Sequence, residues 1–570
     1  MAYSPPPSSQ RKLKRSKQLE MYCMGNLKKY LQDTTLHGLK YLNDNSLTNW
    51  EKFFFLSAFI ICSVFVVHLI SNIYGKWDST PVIIGINPHP TPISKIPLPA
   101  LTVCNMNQAA KYKVVNYTKD SKEHAALKYL CNTENTLDPA LEYSEQFKNN
   151  DLELADFIIA HSQPCSRMLV SCQIGSIKYN CSELFREIVT DEGLCCAFNT
   201  LHPSFLYRKK YRTLSSLSYS ANVIPVDWNP EHGYPADLPP KYYPRAAYGI
   251  GISMGVTIIL NAEVDDYYCS STGGAGFKVN LGSPIDRPLV SESGVAVALG
   301  SETRFRIDTQ LTESSPAMRS IKRQRRQCLF LDEEPLSFFR YYTKAHCEQE
   351  CLSAFILEHC QCLPYYLPII YNNATSCNIS RVFCIERAKE KFSREDLSSS
   401  CMSRCQTSCF DLSFMPKTFS SPLAARNYTI QNSILAALPK EEVLRNIAVV
   451  HFYYRDSVIH SELKNVYIGF TEFLSNTGGI LGLFMGFSFI SIAEIIYFAF
   501  FRPIFKFVVP KKYRNSAAIA QVRAANPKEN KNWLPGEIFK VRINSRHNEN
   551  GSRTNEKEPK KYSYSKSEIL

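Results

Sequence analysis

Two stretches of the chain are apolar almost without interruption, and the rest is mixed. The first, FFFLSAFIICSVFVVHLISNI over Phe53–Ile73, has no formal charge and the length of one bilayer-crossing helix. The second runs from Phe473 to Phe501 and is closed by Arg502-Pro503. No apolar run precedes Phe53, so no signal peptide is expected. Between the two stretches, VSESGVAVALGSETRFRID (290–308) alternates and is rich in small and β-branched residues, which predicts strands. PLSFFRYYTKAHCEQECLSAFILEHC (335–360) has a helical period and puts Cys347 and Cys351, four apart, on one face. The expected class is α+β: a sheet core with a disulfide-stapled helical subdomain at about 328–410. Residues 1–20 and 510–570 are polar and basic, and little fixed structure is expected there. No internal repeat is visible.

Charge orients this pattern. Residues 1–52 carry nine Lys/Arg against four Asp/Glu, and residues 502–570 carry sixteen against six. Of the chain's net +13, +15 sits in the two ends and −2 in the middle. Basic flanks stay on the cytoplasmic side of a membrane. The reading is therefore a cytoplasmic tail (1–52), a first span (53–73), an outer region (74–472), a second span (473–501) and a cytoplasmic basic tail (502–570). The tails suit orientation or contact with anionic membrane lipid better than nucleic acid, which is not expected as a partner. Of 20 cysteines, all but Cys23 and Cys62 fall in the outer region. A dense, even set in an oxidising compartment predicts a disulfide framework. No metal site is expected, because Cys360 and Cys362 are one residue apart and no histidine pair follows at zinc spacing. Glycosylation sequons at Asn116, Asn180, Asn373, Asn378 and Asn427 fit an exported surface, and one at Asn550 falls in the inner tail. The tract IKRQRRQC (321–328) allows two readings: a processing-protease site at Arg323–Arg326, or a basic strand leading into Cys328. The strand is preferred.

The second span raises a question of its own. It carries Gly478, Gly479, Gly482 and Gly486, two serines and the carboxylate Glu494. Glycine weakens a helix and a carboxylate in lipid is costly. On a straight helix, Ser475, Gly478, Gly479, Gly482, Gly486 and Ala493 share a stripe, which would suit close helix packing alone. A straight helix over 473–501 would extend about 43 Å, well beyond a hydrocarbon core of about 30 Å. Ser488 lies about 200° around from Gly486. The two face one axis only if the helix unwinds between them. Irregular backbone at membrane depth lines water-filled cavities, and freed carbonyls there replace part of an ion's hydration. Glu494 would then add negative potential for a cation, or alternatively snorkel to the cytoplasmic interface.

The residues resemble the degenerin, epithelial sodium channel and acid-sensing ion channel family. The second span has Phe473-Leu474-Ser475, Gly478-Gly479, Gly482-Leu483-Phe484, Gly486-Phe487-Ser488 and then Glu494, six residues on. His37-Gly38 is similar to the family's pair before the first span. Pro99-Ala100-Leu101-Thr102-Val103-Cys104-Asn105 is similar to the block after it, with Leu98 in place of Phe. Gly193-x-Cys195-x-x-Phe198-Asn199, Arg326-Gln327-Cys328, Cys347-x3-Cys351 and Cys360-x-Cys362-x-Pro364 resemble further family blocks. Trp77 with Pro81, and Trp228-x-x-Glu231-x-Gly233-Tyr234, look like the insect pickpocket branch. The likeness covers about residues 35–503.

The resemblance implies a trimeric, sodium-preferring, amiloride-sensitive cation channel at the plasma membrane, built from this chain or related subunits. It implies two transmembrane helices, both termini cytoplasmic, and an ectodomain with a β-sheet palm and β-ball and a helical finger and thumb. Sodium would be the permeant ion, with no cofactor, and a stimulus the residues do not name would act through the ectodomain. By the same resemblance, Gly486-Phe487-Ser488 would form the selectivity belt and Gly482 the amiloride-sensing position. Ser475 would be the position where bulky residues prop the pore open, and His37 and Gly38 would affect gating. Implied disulfides are Cys104–Cys195, Cys172–Cys181, Cys328–Cys409, Cys347–Cys405, Cys351–Cys401, Cys360–Cys384 and Cys362–Cys377. Cys131, Cys165, Cys196 and Cys269 remain, and two further bridges in some pairing are expected among them. Phe487 stands where many vertebrate members have a small residue; it either packs away from the axis or intrudes on it. Neither tail has Pro-Pro-x-Tyr, so ubiquitin-ligase control is not expected. The alternative is a two-span receptor or lipid-binding protein, a class that needs no glycine stripe. Enzymatic activity is not expected, since the chain has no nucleophile elbow, Walker loop or zinc-protease helix.

Overall fold

The computed structural model describes residues 21, 23–132, 139–208, 223–367, 374–394, 403–423, 429–430 and 432–504. The chain forms two units: residues 64–480, and residues 1–63 together with 481–570.

Within 64–480, an alternating stretch of the sequence becomes a central strand of fourteen residues. Ser301–Ser314 buries Ser301, Thr303, Phe305 and Ile307 in strict alternation, as a strand with one face on a core must. It is the tenth of the thirteen strands that make up the two largest sheets. These are β1 (Val82–Ile86), β2 (Ala100–Asn105), β3 (Leu169–Ile174), β4 (Ile177–Tyr179), β5 (Phe185–Thr190), β6 (Gly193–Phe198) and β7 (Val256–Asn261). They continue as β8 (Gly276–Gly282), β9 (Val295–Ala298), β10 (Ser301–Ser314), β11 (Asp411–Pro422), β12 (Ile447–Tyr454) and β13 (Glu462–Val466). The larger sheet runs β1-β13-β10-β12-β7-β3-β4, with β11 also paired to β10. The β10–β12 pair is parallel and sets Phe305 against Phe452, whose rings stack at 4.9 Å. The smaller sheet runs β9-β8-β2-β6-β5. Its β2 and β6 are buried at every position, which explains their continuous apolar runs. Their antiparallel register places Cys104 opposite Cys195, and the two are bridged.

Among the helices, the four longest that accompany the sheets are α1 (Asn49–Ser79), α2 (Lys122–Leu130), α3 (Lys344–Cys360) and α4 (Val382–Arg394). Bridges Cys328–Cys409, Cys347–Cys405, Cys360–Cys384 and Cys362–Cys377 tie the segment around α3 and α4. Cys351 is also disulfide-bonded, and Cys401 lies outside the described residues. Cys172–Cys181 closes the turn after β3. The four cysteines left without a pairing form Cys131–Cys269 and Cys165–Cys196.

Three local expectations are corrected. Residues 290–308 do not begin as a strand: Val290–Ser293 is a helical turn, because the Asp191 carboxylate accepts the N–H groups of Val290 and Ser291 at 2.8 and 3.0 Å. The helix expected over 335–360 starts only at Lys344. The Glu350 carboxylate takes the N–H groups of Ser337, Phe338 and Phe339 and folds that segment back, and Thr343 caps the helix through His346 N–H. The basic strand over 321–328 is replaced by a helical turn, Arg323–Arg326, ended by Gln327 at φ 56°; strand geometry begins at Cys328. Arg326 is buried, donates to the Cys328 carbonyl at 2.9 Å and pairs with Glu333. The arginine after which a processing protease would cut is therefore not presented.

α1 is long and apolar enough to cross a membrane. The helices α5 (Phe470–Met485) and α6 (Phe489–Ile496) pass the same test only together, as a pair bent by 73° at a break; the helical path continues past α6 to Ile504.

Candidate functional site

The break between α5 and α6 falls on Gly486-Phe487-Ser488. Gly486 sits at φ +64°, where a side chain is strained. A Cβ there would also lie 2.7–2.8 Å from three ring atoms of His37. Gly486 N–H still reaches Gly482 O at 3.0 Å. Beyond it, Phe487 N–H goes to Leu481 O at 3.3 Å and Ser488 N–H to Ser491 Oγ at 3.1 Å, neither at the i−4 position of an α-helix. Ser488 then starts α6 as its N-cap, in a reciprocal capping box with Ser491. The serine that a straight helix would turn away from Gly486 is thus the residue on which the helix restarts.

A second segment of the chain meets this break. Residues 23–33 are helical, and the loop after them runs along residues 485–494. His37 N–H donates to Met485 O at 3.0 Å. Thr35 N–H and its hydroxyl reach Glu494 Oε2 at 3.1 and 3.2 Å, and the hydroxyl lies 2.9 Å from Ser491 Oγ. Tyr30 packs edge-on to Phe498 at 5.5 Å. Gly38, at φ +86°, turns the chain out of the loop into residues 39–42. Among the described residues of 21–63 and 481–504, only Thr34, Leu36 and Ser491 are buried. Polar contacts and glycine, not an apolar core, hold the break.

The structure therefore brings His37, Gly486, Ser488 and Glu494 into one neighbourhood. Ser475, Gly478 and Gly479 are on the exposed side of α5, and a Cβ on either glycine would meet nothing within 4 Å. Gly482 sits one turn before the break, with Phe487 O 3.9 Å from its Cβ position. Sequence reasoning missed Thr35 and Ser491. The Ser488-x-x-Ser491 spacing carried a signal, since it is a capping-box pattern at a helix restart. Thr35 carried none, because it is joined to Glu494 across 459 residues.

A second joint lies within 64–480. Arg325 donates to the carbonyls of Trp77 and Asp78 at 2.8 and 2.9 Å, pairs with the Asp78 carboxylate at 3.0 Å and lies 5.0 Å over the Trp77 ring. These are the last carbonyls of α1, which a cation stabilises. Trp77 in turn packs on Phe473 at the start of α5, at 5.3 Å. Of the sequons, Asn116 and Asn180 are exposed, and Asn180 caps a helical turn with its side chain. Asn378 accepts from Ser380 Oγ at 2.7 Å and bridges backbone to Glu153. Asn373, Asn427 and Asn550 lie outside the described residues.

Comparison with known proteins gives a family. Residues 30–498 match the model for the amiloride-sensitive sodium channel. The chain is 38% identical over 484 residues to pickpocket protein 28 of Drosophila melanogaster, covering 83% of this chain and 78% of that protein. It is 21% identical over 496 residues to the Drosophila melanogaster sodium channel protein Nach, covering 84% and 87%. Against the epithelial sodium channel gamma subunit of Xenopus laevis it is 27% identical over 282 residues, covering 46% and 41%. The family is one of ion channels, not enzymes. The chain belongs to the amiloride-sensitive sodium channel family, on its insect pickpocket branch.

Proposed function

We propose that the chain is a pore-forming subunit of a sodium-preferring, amiloride-sensitive cation channel of the plasma membrane. It crosses the membrane twice, through α1 and through the bent pair α5–α6, with both termini cytoplasmic and about 74–472 outside. It assembles as a trimer with itself or with related subunits, and an extracellular stimulus opens it. Gly486-Phe487-Ser488 is the selectivity belt, Ser475 and Gly482 line the path above it, and Glu494 lies below. Asn116 and Asn180 carry glycans outside.

The observation that carries this reading is the break itself. An apolar helix pair interrupted at Gly486–Ser488 leaves backbone outside the α-helical ladder at membrane depth, which is tolerated where it faces water or ions. A receptor or lipid-binding protein with two spans has no use for it. The test is expression in oocytes of the chain and of Ser475→Phe, with current recorded in sodium, in potassium and with amiloride. A constitutive, sodium-preferring, amiloride-blocked current from Ser475→Phe is expected. Absence of current from protein that reaches the surface, alone and beside related subunits, refutes it.

A further inference from the structure

We infer that Thr35, on the loop before α1, is a positioning residue for permeation: its hydroxyl links Ser488 of the belt to the carboxylate of Glu494. This rests on the reading of 486–494 as the ion path.

The hydrogen bonds form a chain with one direction. A carboxylate only accepts, so the Thr35 hydroxyl proton, 3.2 Å from Glu494 Oε2, goes to Glu494. Thr35 Oγ1 is then free to accept, and Ser491 Oγ, 2.9 Å away, donates to it. Ser491 Oγ accepts in turn from Ser488 N–H at 3.1 Å. The order is Ser488 N–H to Ser491, Ser491 to Thr35, Thr35 to Glu494. Such a chain polarises along its length and strengthens its members. Thr35 N–H adds a second bond to the same oxygen at 3.1 Å.

The burial pattern singles this chain out. Ser491 is the one fully buried residue of α6, in a neighbourhood otherwise exposed. A buried hydroxyl needs a partner, and its partners here are Ser488 and Thr35. Among the described residues, Thr35 is thus the side chain that hydrogen-bonds both Ser491 and Glu494. Without its hydroxyl, Glu494 keeps the Thr35 N–H as its donor among the described residues, and Ser491 keeps Ser488 alone of its two hydroxyl partners. Both ends of the path, the helix restart and the carboxylate, then lose their fixed relation.

Removing the hydroxyl while keeping shape separates this from a structural role. In the Ser475→Phe background, Thr35→Val is expected to change the sodium-to-potassium permeability ratio by about threefold or more, as loss of a hydrogen bond to a charged group implies. Thr35→Ser, which keeps the chain, is expected to leave the ratio as it is. In a Glu494→Gln background, Thr35→Val should add less than it does alone, because its effect passes through that carboxylate. An unchanged ratio in Thr35→Val, or equal shifts from Thr35→Val and Thr35→Ser, overturns the inference. A second measurement needs no current. Full-length Thr35→Cys with Ser491→Cys, on a Cys23→Ser and Cys62→Ser background, is oxidised and the linked peptides are sought by mass spectrometry. A link is expected, and none from Lys40→Cys with Ser491→Cys. A silent Ser475→Phe channel would count against the pore reading; the cross-link then decides the placement of Thr35 by itself, and its absence overturns that placement.

Discussion

The two units of this chain are held together by opposite means. Residues 64–480 bury whole aromatic side chains, among them Phe198, Phe277, Phe305 and Phe452, in one contiguous core, and disulfides staple the periphery. The described part of 21–63 with 481–504 buries three residues, two of them hydroxyl-bearing. Close-packed cores tolerate little change and have one arrangement. A break held by a few hydrogen bonds and a left-handed glycine has alternatives within a few kcal/mol. The first is held by buried area, the second by hydrogen bonds.

The largest expected effects test each half separately. Gly486→Ala should cut current at least tenfold while leaving the melting temperature of purified protein unchanged. The new methyl meets the His37 ring and a φ that alanine adopts only at a cost of about 1–2 kcal/mol. Adding His37→Gly should restore part of the current, because it removes the collision and leaves only the backbone cost. Recovery of nothing would show that the collision with His37 is not the cause. The converse substitution is Phe305→Ala, which deletes a fully buried ring stacked on Phe452 and should cost roughly 3–5 kcal/mol. It should appear as loss of surface protein. If the protein that does reach the surface has altered selectivity, the two halves are not as separate as the comparison holds.

The same division decides what could be read from sequence. The break at Gly486–Ser488 was legible because helix geometry is local: a 200° mismatch over two residues needs no knowledge of the rest of the fold. The strand character of 290–308 was legible for the same reason where it held, over Val295–Ala298 and from Ser301 on. Val290–Ser293 was not, because Asp191, about a hundred residues earlier, fixes it as a helical turn. Arg323–Arg326 was misread as a strand because each arginine answers to a distant or folded-back acceptor. Glu494 looked like a free carboxylate facing either an ion or the interface, since Thr35 is nowhere near it in sequence. Side chains whose partners lie across the chain are where local pattern stops.

An intermediate effect is expected from pH, where the partly buried Asp286 and the buried His346, both within 64–480, act with opposite sign. Burial, with the charge of Asp411 nearby, pushes the Asp286 carboxyl up to about 7, and the Thr343 hydroxyl offsets part of this. Folded Asp286 then holds a proton that the unfolded chain releases near pH 4, so stability falls as pH rises from 4 to 7. His346, buried and stacked on Phe339 at 3.7 Å, is pushed down to about 4 by burial. Its contribution is complete above pH 6.5 and is lost as pH falls towards 4. Asp286→Asn should therefore raise the melting temperature above pH 7, with the gain vanishing below pH 4. Between those limits the variant's stability should fall more steeply with acid than the parent's, because His346 is left unopposed. A uniform shift at all pH values would mean that Asp286 is ionised in the folded protein.

The smallest expected change in stability, and the sharpest test of the comparison, is at Arg325. Its side chain and that of Asp78 are partly exposed, so the ion pair contributes under about 1 kcal/mol, and Arg325→Gln should move the melting temperature by less than about 2 °C. Its carbonyl contacts are another matter. They cap the last turn of α1, where the chain leaves an apolar helix for the larger sheet, and they hold Trp77 against Phe473 at the head of α5. Loss of the guanidinium frees those carbonyls without disturbing the core. Hydrogen exchange of the full-length protein should show amides at about 74–80 opening a few times faster, while those of β10 and β12 are unchanged. If β10 and β12 also exchange faster, Arg325 belongs to the rigid outer frame. If only the end of α1 responds, Arg325 acts on the last turn of that helix alone.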